Sequence, residues 1–215
     1  MAYSLAPHLH FALARDHAIL LDVRADRYRA MGARAAGVLH QIATGAAIED
    51  EEVLRDLIAA DILHCGDDVA RRATMVRPAR QVRDVPDGPG TSLSALRVLA
   101  GLTRIIGRQR WRGFEACLTI AAKSKVAQPL RRDPDASVRI AKAYARARRW
   151  VPIRPICLRD SLCLLALLNR AGLDASLVLG VRVDPFAAHC WVQVDDMLLS
   201  DELDVVAEFT PILVL

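Results

Sequence analysis

The chain has 215 residues, room for one large domain or two small ones, and 53% of them are apolar, enough for a sizeable core. No apolar stretch approaches the roughly 20 residues of a membrane span, and no basic-then-apolar signal opens the chain. Net charge is +4 but uneven: residues 97–149 hold 14 Lys/Arg against 3 Asp/Glu, whereas 150–215 hold 4 against 9.

In chain order, the first 31 residues alternate like three short antiparallel strands. Leu9, Phe11 and Leu13 share one face; Ala18–Val23 is a compact apolar run; Asp26 and Arg27 turn the chain before Tyr28 and Met31. Ala33–Ala43 follows with Ala36, Val38, Leu39 and Ile42 at helical spacing, and Gly45 ends that helix. Glu49–Ala60 has acids in its first turn, which suit the helix dipole, and a stripe of Val53, Leu54, Leu57 and Ile58. Ile62 and Leu63 close the unit. Three strands with two or three helices in about 65 residues suggest a small winged-helix-like domain over 1–66.

Residues 67–92 read as a linker, rich in polar residues, with a loop at Asp84–Gly90. Beyond it, 93–215 forms a second domain. Ser94–Ile106, Trp111–Ala122 and Ser137–Arg149 have helical patterns. Pro152 and Pro155 interrupt the chain just before Cys157. Cys157–Ala171 is a strongly apolar helix that stops at Gly172. Ala175–Val183, Ala188–Val194 and Met197–Leu199 are strands, with Asp195-Asp196 as the turn between the last two. The fold class is α+β, its C-terminal part built of helices packed on an antiparallel sheet.

Five cysteines, Cys65, Cys117, Cys157, Cys163 and Cys190, are odd in number and irregular in spacing. Without a Cys-x-x-Cys pair they suggest neither a disulfide framework nor a zinc site, so no metal and no cofactor are expected. Cys157 opens its helix, where free N–H groups and the helix dipole lower a thiol's pKa and can also hold an oxyanion. The plainer reading is a buried core cysteine. His189 weighs against that, because it is the one histidine after residue 64 and so the one candidate base for Cys157. Asp201 follows it by 12 residues across one hairpin, placed to fix its tautomer. Asp195, Asp196, Glu202 and Asp204 compete for that role. Cys163 lies nearly two turns into the helix, and Cys190 points to the opposite strand face from His189. Both are alternatives that read better as packing.

Three stretches carry a family resemblance: Pro152-Ile-Arg-Pro-Ile-Cys-Leu-Arg-Asp-Ser-Leu-Cys163 with its helix to Gly172, Leu179-Gly-Val-Arg182, and Ala188-His-Cys-Trp-Val-Gln-Val-Asp195 with Leu199-Ser-Asp201. Over roughly 94–215 the chain resembles the transglutaminase-like, papain-like domain of lasso peptide biosynthesis B proteins, which are leader peptidases. That likeness implies Cys157 as nucleophile, His189 as base and Asp201 as its orienting acid. The chain departs from the family at Cys190, where Ala is usual, a small change on the other strand face. The first 65 residues are similar to the small recognition element that binds leader peptides in ribosomal peptide pathways. The Leu21-Asp-Val-Arg-Ala-Asp-Arg-Tyr28 hairpin carries that likeness. It implies that a leader adds as a strand beside Arg27–Met31 and packs on Glu51–Ala60, with Arg27, Tyr28, Arg29, Leu54 and Leu57 as binding residues.

The resulting expectation is a cytoplasmic cysteine peptidase. It binds the leader of a lasso precursor, cuts the leader–core junction and frees the core amine. By the resemblance, a separate ATP-dependent, asparagine-synthetase-like cyclase then forms the macrolactam; no P-loop occurs here. A transglutaminase-type acyl transferase and a non-catalytic leader-binding adaptor are the alternatives. The basic segment 97–149 is either a solvated helical face or a dock for an acidic partner. The winged part, net −1 over residues 1–80, lacks the electrostatic footprint of a DNA binder, so no nucleic acid and no membrane are expected as partners.

Overall fold

The structure, a computed structural model, describes residues 3–14, 17–66, 73, 75–86, 92–127 and 129–215. Packing divides the chain into two compact units. One comprises Met1–Thr74 with Gly180–Ala188 and Thr210–Leu213; the other comprises Met75–Leu179 with His189–Phe209 and Val214–Leu215.

In the first unit, β2 (Leu9–Ala14), β3 (His17–Asp22) and β4 (Arg27–Met31) form an antiparallel meander in that order. Phe11 pairs with Leu20, and Leu21 with Tyr28. Asp26 makes the second turn at φ 51, its neighbours' N–H groups held by the Asp22 carboxylate. A two-stranded ribbon of β1 (Tyr3–Leu5) and β5 (Leu63–Cys65) brings the two ends of the segment together. Helix α1 (Ala33–Thr44) buries Ala36, Val38, Leu39 and Ile42 and ends at Gly45, whose φ of 72 is the left-handed conformation that glycine adopts freely. Helix α2 (Glu51–Ala59) is capped by Asp50, which accepts from the Val53 N–H at 3.2 Å. Arg34 clasps Asp50 and Glu52, both at 2.7 Å, and so joins the starts of the two helices. The core gathers Phe11, Leu20, Leu39, Leu54, Leu57 and Leu63. Each such side chain contributes about 2 kcal/mol on leaving water.

The second unit is led by α3 (Ala95–Val126), capped by Ser94 and broken at Gly113. The sequence pattern leaves its interruption at 107–110. The chain stays helical there and turns at Gly113 instead, at φ 79 and ψ −178, a backbone state open almost only to glycine. An internal glycine such as Gly107 weakens a helix by only about 1 kcal/mol, which packing overrides. Helix α4 (Pro134–Arg148) begins three residues before the expected Ser137. Asp133 caps it, accepting from the Ala136 N–H at 2.9 Å, and Pro134 takes the first turn, where its missing N–H costs nothing. Helix α5 (Cys157–Arg170) ends before Gly172 at φ 73.

A five-stranded sheet runs in the order β10-β7-β8-β9-β6, with β6 at Arg80–Gln81, β7 at Ser176–Val183, β8 at Phe186–Val194, β9 at Met197–Leu198 and β10 at Thr210–Val214. Strand β6 pairs parallel to β9. It comes from the stretch expected to be linker; only 67–72, 74 and 87–91 of that stretch lie outside the described residues. Arg80 seals this edge through a two-pronged pair with Asp196. The short helix α6 (Leu203–Val206) and β10 also lie beyond the elements expected from the pattern. Mixed helices and sheets, antiparallel apart from this edge pair, make the fold α+β. Among the described residues no helix is long and apolar enough to cross a membrane.

Candidate active site

Three side chains from separate elements of the second unit act on one another. Cys157 is the first residue of α5 and is exposed. The His189 ring is the main influence on its thiol. The Nε2 atom of His189 meets Asp201 Oδ2 at 2.5 Å. Asp201 occupies one imidazole nitrogen, so Nδ1 is the one left to face the sulfur. Asp201 is held in turn, its Oδ1 accepting from the Glu202 N–H at 2.9 Å.

The electrostatics follow from this arrangement. The Cys157 thiol is lowered from its ordinary 9.0, chiefly by its hydrogen bond to His189 and by the charge on that ring, against the cost of burial. The backbone N–H groups of Cys190 and Leu158 also serve the sulfur. Asp201 first and Cys157 second raise His189 to about 9. The two shifts run in the same sense: each favours the ionised thiol beside the protonated ring, the form a cysteine nucleophile needs. Residue Ile156, at the N-cap, offers no side-chain cap to the first turn of α5.

The mouth of α5 is held by a residue that the sequence reading left out. Asp160 accepts from the Ile156 N–H at 3.0 Å through one oxygen. Through the other it accepts from the Tyr144 hydroxyl at 2.7 Å and the Arg148 Nε at 2.5 Å. Arg148 also donates to the carbonyls of Val151 and Ile153, fixing the approach to Cys157. The signal was available: an acid one turn into a helix can reach back to the capping N–H. Ser161, one turn beyond Cys157, donates to the Cys190 carbonyl at 3.0 Å and so ties α5 to β8. Trp191 shares His189's strand face and stacks on it, centroids 6.2 Å apart, and Phe209 lies 5.2 Å away. Gln193 supports Trp191: it accepts the indole N–H at 3.0 Å and donates to the carbonyls of Val76 and Asp195, both at 2.9 Å.

The competing residues are engaged elsewhere. Asp195 pairs with Arg132, Asp196 with Arg80 and Glu202 with Arg83. Cys190 is buried on the opposite face and its thiol is pushed far up by desolvation; burial raises Cys163 to about 11. In the first unit, Arg27 and Arg29 lie exposed on β4, the outer strand of its sheet. Tyr28 is half-buried and meets Phe186 edge-on at 5.7 Å. Leu54 and Leu57 are core residues of α2, so they can serve a bound strand only by holding that helix in place.

Folding thus brings together a thiol at a helix start, an imidazole on a neighbouring strand and a carboxylate bonded to that imidazole. The family model of the transglutaminase-like superfamily matches residues 99–214, more than half of the chain, and the protein belongs to that superfamily. It is also similar to the microcin J25-processing protein McjB of Escherichia coli, 41% identical over 58 residues. That stretch covers 24% of this chain and 28% of the other protein's length. No solved structure matches.

Proposed function

We propose that the protein is the leader peptidase of a lasso peptide pathway. The Cys157–His189–Asp201 line carries this reading, and the similarity to a microcin-processing protein directs it towards a ribosomal peptide precursor. The Cys157 thiolate attacks the scissile carbonyl. First-turn N–H groups of α5 hold the oxygen as it becomes negative. The His189 imidazolium gives its proton to the departing amine, leaving a thioester, and neutral His189 then activates the water that releases the leader. The freed amine is the group a partner cyclase joins to a carboxylate.

In this reading residues 1–66 form the leader-recognition element, and 93–215 together with β6 form the peptidase. A leader adds as a further strand on β4, whose outer edge has no partner within its sheet, beside Arg27, Tyr28 and Arg29. The experiment is to incubate the purified protein with its precursor and follow mass. Loss of the leader, abolished in Cys157→Ala, is the expected result; undiminished cleavage by that variant refutes the assignment. The superfamily's chemistry also favours a second reading, transfer of the acyl group to an amine. Added amine would then appear as a mass gain on the leader instead of a free carboxylate.

A further inference from the structure

The helical layer of the second unit places a charged, aromatic tip at the nucleophile's end of α5. Before its break, α3 runs antiparallel to α5: Gly101 lies against Cys163, and Gln109 Oε1 accepts from Arg159 Nε at 2.9 Å. After the break it runs back alongside, with the Ser124 hydroxyl accepting from Asn169 Nδ2 at 2.8 Å. The helical hairpin turns at Gly113, with Arg110-Trp111-Arg112 as the last residues before it. Arg159 is two residues beyond Cys157, and Trp111 two beyond Gln109, so the tie at Gln109 brings the tip to the end of α5 that carries the thiol. Trp111 is 83% exposed, and Arg110 and Arg112 are exposed on either side of it. The helix carries one acid, Glu115, against seven Lys/Arg.

We propose that this tip is a specificity subsite of the peptidase, taking a carboxylate side chain of the peptide substrate a few residues from the cut. Two guanidiniums attract the carboxylate, and the indole face covers the extended backbone beside it. The reading rests on the peptidase assignment: a basic, aromatic surface could equally take nucleic acid, but one at the nucleophile's end of α5 meets the peptide.

The test uses two probes, chloroacetyl-Gly-Gly-Glu-Glu-amide and its Gln-Gln counterpart, which alkylate Cys157 by displacement of chloride. Mass spectrometry reads the labelling rates, and their ratio within each protein cancels the reactivity of the thiol. The Glu probe is expected to label the wild type about fivefold faster, the size of two exposed ion pairs. In the R110Q/R112Q protein the ratio falls to unity, and in R110K/R112K it is largely restored. Equal rates on the wild type, or a preference that survives in R110Q/R112Q, overturn the proposal. So does protection of Cys157 by oligo-dT at concentrations where free acetyl-Gly-Gly-Glu-Glu-amide gives none, which would assign the tip to nucleic acid. Iodoacetamide on the wild type tests the nucleophile separately. If Cys157 resists it, the peptidase reading fails, and anisotropy of fluorescein-labelled Gly-Gly-Glu-Glu against its Gln form decides the tip's preference by the same criteria.

Discussion

His189 and Cys157 shift each other's titration, and Asp201 adds to the rise in His189, which makes the site's pH behaviour readable. The thiol ionises below 9.0 and the imidazolium persists to about 9, so cleavage should span the interval between and fall on its alkaline side near 9. Asp201→Asn removes the larger cause of the rise in His189. The alkaline limb of kcat/KM then moves down towards 6.5, and the inflection for Cys157 alkylation moves up towards 9.0. The same residue links pH to stability. A base whose folded pKa is raised contributes stability that is complete below 6.5 and lost as pH climbs through about 9; urea titrations across that range should show the loss in the wild type and little of it in Asp201→Asn. Asp160 belongs to the same scale. Its side chain and that of Arg148 are 21% and 12% exposed, so Asp160→Ala strands a cation in a largely buried place. The cost should be about 3 kcal/mol by denaturant unfolding, with the helix mouth loosened as well.

At the scale of elements, two glycines control the helical layer for different reasons. Gly113 has open space where a Cβ would stand, so Gly113→Ala tests the backbone alone. The left-handed, extended geometry there should make it cost about 1–3 kcal/mol in urea unfolding. At Gly101 the backbone is ordinary, but a Cβ would meet the Cys163 sulfur at 2.7 Å. Gly101→Ala should cost about 1–3 kcal/mol through overpacking, and Cys163→Ala in the same chain should return part of it. The layer matters for chemistry because α5 delivers the thiol. Ser161 joins that helix to β8 by a buried hydrogen bond, and Ser161→Ala leaves the Cys190 carbonyl without its partner. About 1–2 kcal/mol should be lost in stability, together with some kcat, as the line from sulfur to imidazole slackens.

For the whole molecule, the proposed function puts on one chain both a strand edge for a leader and a nucleophile for cutting it. Under the proposed function the leader's capture makes the cut effectively intramolecular. A precursor lacking its leader should therefore lose on the order of 100-fold in kcat/KM, mainly through KM, in steady-state cleavage assays. The same rise in KM should appear for Arg27→Glu with Arg29→Glu on the intact precursor.

Much of this architecture was written in local pattern. The strands at Leu9, Ala18 and Tyr28, the two helices after them, and the long apolar helix after Cys157 all follow from periodicity and turn residues, because one face of each must be buried. The residue types of the line were legible too: a cysteine opening a helix, a lone late histidine, and an acid one hairpin further on. Other features were decided by folding alone. Strand β6 has two residues and no pattern of its own; it exists because Arg80 and Gln81 meet the exposed edge of β9. The break in α3 lies at Gly113, near the first turn of α5, and not at Gly107. Asp201, and not Asp195 or Asp196, reaches His189 because Arg132 and Arg80 engage the other two. Local composition sets which segments become helix or strand, whereas the choice among chemically equivalent side chains depends on distances between elements far apart along the chain, and those arise only when the core packs.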